Sequence, residues 1–394
     1  MLAHAPKVYD VEYLSIIDNY VSYRNAAKPG DYIEAAMRNI DPTTLAVIRG
    51  ALEQIADEMD TVLSTSAFSP IISDAWDRAS GIFHPKTGEV IVQGNTGLPI
   101  FIIVMQHTVQ HVLKDHPPET MKPGDVFIIN DPYRGGTHTM DVKFVRPFFR
   151  DGELKALLAN TGHWPDVGSM TPGGFTTTAT DIYQEGFRLP PVKIYDEGKF
   201  NHILADVMFH NMRVAHERRG DMAAQLNSLQ MGDKRLHEFF ERFDNDTIFA
   251  CIDELKNRSE ALMRERIADI PDGTYQFVDH MDSDGLDEGR LRIDIKMIVD
   301  GTNITFDLSG SSPECRGPFN SPYSNTVTGT MIAVKHIFWD IPINSGCFEP
   351  FDWIIPEGTM LNPREPRPVS GTTTETCNMI VSTTLGALAK ALPG

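Results

Sequence analysis

The hydrophobic period switches repeatedly between helical and strand spacing along this sequence, and that alternation restricts the fold more than any other feature. From Asp41, a capping residue followed by Pro42 at the first helical position, Ile48, Leu52, Ile55, Met59 and Val62 recur at helical spacing. Between Phe68 and Gly94 the pattern shortens to apolar runs separated by turns, Gly81-Ile82-Phe83 and Val90-Ile91-Val92 around Lys86-Thr87-Gly88, which predicts a strand hairpin. A helix is expected over residues 104–113, a buried strand at Phe127-Ile128-Ile129, and two further strands over 142–149 and 154–158 joined by Asp151-Gly152. Helical periodicity returns over 202–243 and 247–267. A period-2 hairpin follows, with Leu291, Ile293, Ile295 and Met297 answered by Ile304, Phe306 and Leu308 across Asp300-Gly301. A helix is expected over 326–339 and a strand-to-turn edge at Ile354-Ile355-Pro356-Glu357-Gly358. This order implies an α+β (mixed α/β) fold with mixed sheets in several layers, long helices and at least two subdomains. The divisions expected are an N-terminal arm over 1–40, an α/β domain over 41–200, a helical segment over 201–270 and a second β-rich subdomain over 271–394.

Composition narrows the class. The 394 residues carry 35 Lys plus Arg against 54 Asp plus Glu, a net charge of −19, and no basic block. A nucleic-acid partner or an anionic membrane surface is therefore not expected. Charged residues interrupt every apolar stretch near the N-terminus, so neither a leader nor a membrane span is predicted, and the chain is expected in the cytoplasm. Cys251, Cys315, Cys347 and Cys377 are far apart and lack Cys-x-x-Cys spacing, which reads as reduced core thiols. Cys347 has no local base to make it a nucleophile.

Polar residues gather where the predicted strands end. The run from Asn130 to Asp141 and the run from Thr161 to Gly168 each carry glycines that permit tight turns, and each presents a histidine with an aspartate three residues later. His138 and Asp141 could converge on one ion, and His163 from an adjacent strand end would complete a three-ligand site. The same spacing also fits histidines that hydrogen-bond loop carbonyls, and spacing alone leaves both readings open. His107 and His111, four apart on a predicted helix, lack a neighbouring third ligand and read as a helix face.

These runs, together with Gln184-Glu185-Gly186-Phe187-Arg188-Leu189-Pro190-Pro191, Leu308-Ser309-Gly310-Ser311-Ser312, Asn344-Ser345-Gly346-Cys347-Phe348 and Ile355-Pro356-Glu357-Gly358, resemble the hydantoinase B/5-oxoprolinase C-terminal family over roughly residues 41 to 394. The resemblance implies an ATP-dependent cyclic amide hydrolase of hydantoin, 5-oxoproline or lactam type. In such a system a hydantoinase A-like partner binds ATP and phosphorylates a small-molecule substrate, and this chain acts on the product within a hetero-oligomer. Related ketone carboxylases of acetone and acetophenone type, or a non-catalytic assembly subunit, are the alternatives. The metal positions that the resemblance implies from the carboxylase relatives match His138, Asp141 and His163, for zinc, manganese or iron. Two departures stand out: Leu98-Pro99-Ile100-Phe101 occupies the place of a Pro-Val-His segment common in the family, and His163 is followed by Trp164 rather than by a second histidine. Family chains also continue past the equivalent of Gly394, which implies a fragment or a split gene product.

Around the expected metal site, Asp131, Asp166 and Glu185 are the candidates for acid/base work or for orienting a ligand. Loop capping is the competing reading for Asp131 and Asp166, and a solvated carboxylate for Glu185. Arg134, Trp164, Asp74 and Arg78 are the candidates for substrate contact. A guanidinium at Arg134 could clamp phosphate or carboxylate, with a salt bridge to Asp131 as its structural alternative. An internal ion pair explains Asp74, Asp77 and Arg78 equally well. Trp164, Phe175, Tyr183 and Phe187 divide between pocket and core. No Gly-x-x-x-x-Gly-Lys-Ser/Thr loop is present, so ATP is expected on the partner.

Overall fold

In the computed structural model of the chain, residues 40–392 are described; the expected N-terminal arm falls almost wholly outside them. The first helix, α1 (Pro42–Ser66), starts where the sequence places it, with the Asp41 carboxylate accepting the Thr44 N–H at 2.8 Å. After a single helical turn, Pro70–Ser73, the chain enters a sheet built from β1 (Arg78–Phe83), β2 (Val90–Gln93), β3 (Val126–Ile129), β4 (Asp141–Arg150), β5 (Glu153–His163), β6 (Val192–Asp196) and β7 (Lys199–Phe200). Its strand order is β2-β1-β5-β4-β3-β6-β7, and every pairing is antiparallel. Antiparallel order brings the start of β1, the end of β5, the start of β4 and the end of β3 to one rim of the sheet. The polar clusters read from the sequence therefore share that rim.

Each face of the sheet buries a separate core. Ile82, Val142, Phe144, Phe148 and Leu158 face α1 and α4 (Ala215–Arg242), reached through the short α3 (His202–His210). Ala79, Phe127, Val145, Leu157 and Ala159 face α2 (Phe101–Asp115) and the C-terminal elements. Those elements are a four-stranded sheet, β11-β10-β9-β8, and two helices, α6 (Tyr323–Ile337) and α7 (Cys377–Ala391). In this sheet β8 (Gly273–Ser283), β9 (Glu288–Asp300) and β10 (Asn303–Asp307) run as a meander, and β11 (Phe351–Ile354) pairs with β10 in parallel. Helix α5 (Asn245–Ala268) serves both cores, with Ile248 and Cys251 in the first and Met263 and Ile267 in the second. No helix of the described residues is long and apolar enough to cross a membrane.

Two local readings differ from the sequence expectation. The helical stretch over 202–243 is broken at 211–214, where the chain turns out so that Arg213 reaches the loop after β5 and its guanidinium binds Asp166 and, at 2.8 Å, the Ser169 carbonyl. The second sheet begins one strand earlier than the period-2 signal, because β8 fully buries only Met281 and Asp279 interrupts the alternation of Tyr275, Phe277 and Met281. All four cysteines are buried and free, and burial pushes the Cys347 thiol up to about 12, which removes it as a nucleophile.

Candidate metal centre

Register decides which side chains meet at the rim. Asp141 and His163 are directly opposed across β4 and β5, so both point to the face occupied by α2. Asp77, just before β1, accepts the His163 backbone N–H at 3.1 Å and extends the same row by one strand. His138 closes the group from the loop that leads into β4. The Met140 backbone N–H reaches its Nδ1 at 3.2 Å, holding the ring with Nε2 towards Asp141.

His138, Asp141 and His163 are all buried, and each offers a ligand atom within 4.8 Å of the others. Asp141 lies between the rings, with Oδ2 at 3.6 Å from His138 Nε2 and Oδ1 at 3.3 Å from His163 Nδ1. Nitrogen and oxygen ligands held ~2.0–2.2 Å from one tetrahedral ion stand roughly 3.4 Å apart, so these spacings fit a shared cation. Asp77 Oδ2 is 3.5 Å from His163 Nδ1 and borders the group. Phe175 covers it from outside, stacked on His163 at 5.7 Å and edge-on to His138.

Charge follows from that burial. Burial pushes His138 down to about 3, leaving a neutral imidazole with ligand character. Burial opposes the charge of His163 too, but the hydrogen bond and charge of Asp141 outweigh it and hold the ring above its ordinary value. Burial likewise works against ionised Asp141, yet the two histidines and Lys143 keep it well below the usual carboxylate range. Burial, reinforced by the Asp141 charge, pushes Asp77 up to about 7. Lys143, buried on β4 and donating to the Asp141 carbonyl at 3.0 Å, is pushed down by burial to about 8. The sequence reading placed Asp77 among the pocket residues implied by the resemblance, with an ion pair as the alternative, and Lys143 did not enter it. Only the β1–β5–β4 pairing brings them here, and a lysine one pleat from an aspartate carries no sequence signal of its own.

The other candidates occupy distinct positions. Asp131 caps the short turn Pro132–Arg134 through the Tyr133 N–H and lies 3.7 Å from Arg134 and 3.5 Å from Arg188. Arg134 also binds Asp115 on α2. Asp166, at φ 70°, accepts the Gly168 N–H and pairs with Arg213, so it braces the loop. The Glu185 carboxylate is fully buried and receives the N–H groups of Val369 and Ser370, while its carbonyl accepts the Thr139 hydroxyl beside His138. Trp164 points away from His163 into the first core, where its Nε1 donates to Gln225 at 2.8 Å and its ring stacks on Phe209. Arg78 is buried with Asp60 on α1 and donates to the Ile72 carbonyl, while Asp74 is exposed. Phe187 packs against the first core, and Tyr183 is exposed with Arg188 over its ring. Asn130 is a positioning residue whose role the sequence did not reveal: it donates to the Thr139 and Phe187 carbonyls and accepts the Leu189 N–H, tying together both loops that shape the rim.

With the site in view, the relatives can be compared. The sequence pattern of the family described as Hydantoinase B/oxoprolinase matches residues 41–394. The chain belongs to this family. The caprolactamase subunit beta of Pseudomonas jessenii is 31% identical over 360 residues, spanning 91% of this chain and 61% of that protein. The crystal structure of ATP-dependent caprolactamase from the same organism superposes with a TM-score of 0.82 at 29% identity, over 90% of this chain and 61% of that one. The nucleotide-free structure of acetone carboxylase gives a TM-score of 0.80 at 17% identity, over 89% of this chain and 48% of that one, a likeness of fold. The hydantoinase B-type chain described here thus spans about three fifths of the length of its caprolactamase relative.

Proposed function

We propose that this chain is the metal-holding subunit of an ATP-dependent cyclic amide hydrolase of hydantoin, 5-oxoproline or lactam type. In this reading a hydantoinase A-like partner binds ATP and phosphorylates the substrate. The observation that carries the proposal is the convergence of His138, Asp141 and His163 at the sheet rim, in a chain whose relatives at about 30% identity include an ATP-dependent caprolactamase.

A divalent zinc, manganese or iron ion held by these three side chains would supply a Lewis acid for a carbonyl or phosphoryl oxygen and acidify a bound water. The chain's own residues prepare that place. Burial keeps His138 neutral, and Asp141 supplies the negative charge that a cation requires. Phe175 excludes water from the outer side of both rings. Asn130, Asp166 with Arg213, and Glu185 fix the loops bearing the ligands, the positioning that ligand geometry depends on. Asp131 and Arg188 stand together at the end of β3, where an arriving anionic group would meet the guanidinium.

Metal content of the purified chain tests this reading. Mass spectrometry is expected to find near one equivalent in the wild type and a loss of it in both His138→Ala and His163→Ala. A folded wild type that takes up no zinc, manganese or iron when each is supplied overturns it.

A further inference from the structure

The candidate metal centre is closed in this structure. His138, Asp141 and His163 are each exposed by 2% or less, so a substrate can meet an ion among them only after a neighbour moves. Two neighbours of the histidine rings reach the surface: Asp77, whose side chain is 25% exposed, and Phe175, at 42%. Asp77 is fixed through its backbone. Its N–H donates to the Ile71 carbonyl at 3.0 Å, and its carbonyl accepts the His163 N–H at 3.1 Å. Phe175 is held in a different way.

Its segment is built as a small self-contained turn. Thr171-Pro172-Gly173-Gly174 closes from the Gly174 N–H to the Thr171 carbonyl at 3.3 Å, with Pro172 second and Gly173 third at φ 93°, the arrangement of a type II turn. The Thr171 hydroxyl donates to the Phe175 carbonyl at 3.2 Å, and the Ser169 hydroxyl donates to the Thr171 carbonyl. Among the described residues, the hydrogen bonds of 171–175 therefore all close within 169–175. The body of the protein takes hold on either side of the turn. The Met170 N–H donates to the Gln184 carbonyl at 2.8 Å, and the Ser370 hydroxyl donates to the Thr176 carbonyl at 3.2 Å. Between these anchors the turn is held down by packing. Phe175 lies against both histidine rings, and Gly174 rests so closely on Met140 that a Cβ there would overlap the Met140 sulfur. A short segment with few buried apolar contacts and no hydrogen bond to the body opens at the low end of a protein's local unfolding free energies.

We propose that residues 171–175 are a flap whose opening lifts Phe175 off His163 and His138 and admits the cyclic amide to the metal centre. Phe175 is then the residue that sets access to the site. Its ring lies 16° from parallel with His163, so a planar amide group entering between them meets an aromatic face on either side. The purpose assigned to the flap rests on the metal reading, whereas its movement is a property of the chain with or without an ion. A fixed shield is the competing role, in which the ring covers the histidines and the turn stays closed.

Two variants of the full chain separate the roles. Phe175→Ala removes the ring. Gly173→Ala keeps the ring and strains the closed turn, because a side chain disfavours the positive φ while the added Cβ meets no atom within 4 Å. Two rates are read. One is the stripping of zinc from the loaded chain by excess EDTA; the other is the modification of His138 and His163 by diethyl pyrocarbonate in the metal-free chain, followed by peptide mass spectrometry. Phe175→Ala is expected to raise both rates tenfold or more, and Gly173→Ala threefold or more. The other histidines and the melting temperature are expected to stay near their wild-type values, which a general loosening of the fold would not allow. Unchanged rates in Phe175→Ala overturn the proposal. Acceleration in Phe175→Ala with none in Gly173→Ala makes the ring a fixed shield and overturns the flap. A wild type that takes up no zinc counts against the metal reading alone, since histidine modification in the metal-free chain still decides for or against the flap.

Discussion

Glu185 shows how far one buried carboxyl can act from the chemistry it supports. Burial, outweighing the N–H groups of Val369 and Ser370, pushes it up to about 7 from an ordinary 4.5. Between those values the folded chain holds the proton and the unfolded chain does not. Its contribution is therefore complete below about pH 4.5 and is lost as the pH rises through about 7, by at most about 3 kcal/mol. Glu185→Gln is expected to flatten this part of the pH dependence of the melting temperature, and a variant whose slope matches the wild type would refute the assignment. At the same scale, Arg218 is fully buried on α4, paired with Asp221 at 2.9 Å and donating to the Pro165 carbonyl at 2.6 Å. Arg218→Met leaves Asp221 buried without its cation and frees the loop that follows His163. A loss of about 3–5 kcal/mol in denaturant unfolding is expected. The sequence reading marked Glu185 from its motif but assigned nothing to Arg218, since a charged residue within a charged helix looks solvated until its neighbours are known.

The elements were legible where their periodicity was strong. Asp41 and Pro42 mark the start of α1, the Asp151-Gly152 turn joins β4 to β5, and the alternation in β9 and β10 matches their pairing. Much less visible was how the loops sit on the elements. The turn Pro132–Arg134 ends at Gly135 with φ 78°, and a Cβ there would stand 2.5 Å from the His107 carbonyl carbon. That contact is between two backbones, so it leaves no trace beyond the glycine itself. Gly135→Ala must both adopt a left-handed backbone and push the loop bearing His138 off α2. Its expected cost is about 2–4 kcal/mol, the sum of backbone strain and overpacking. Metal content should fall with it, because His138 rides on the displaced loop. A Gly135→Ala chain with wild-type stability and full metal content would mean that the loop is not seated against α2. The three candidate ligands were readable as residue types near strand ends; the coincidence of those ends required the strand order, which the sequence did not supply.

At the scale of the whole molecule the two sheets are mechanically joined. The large sheet buries one face against α1 and α4 and the other against α2 and the C-terminal elements, while α5 inserts side chains into both cores. Further ties cross between the loops of the large sheet and the C-terminal segments. Glu185 receives the 369–370 backbone, Ser324 binds Gly136, Tyr133 binds the Arg367 carbonyl and Arg188 binds Glu365. These ties surround the candidate metal centre, so the C-terminal elements shape the rim without supplying any of the three ligands. Unfolding of either core would expose apolar surface of the other through the large sheet and α5, and a single cooperative transition follows. The tryptophans provide the test, because Trp164 is buried in the first core and Trp353 packs against the second. Trp164→Phe and Trp353→Phe chains, followed by fluorescence and by circular dichroism in urea, are expected to give coincident midpoints in each case. Two separated midpoints, one seen only through Trp164 and the other only through Trp353, would show that the cores unfold independently. The rim contacts would then be a docking surface between two stable units rather than part of one.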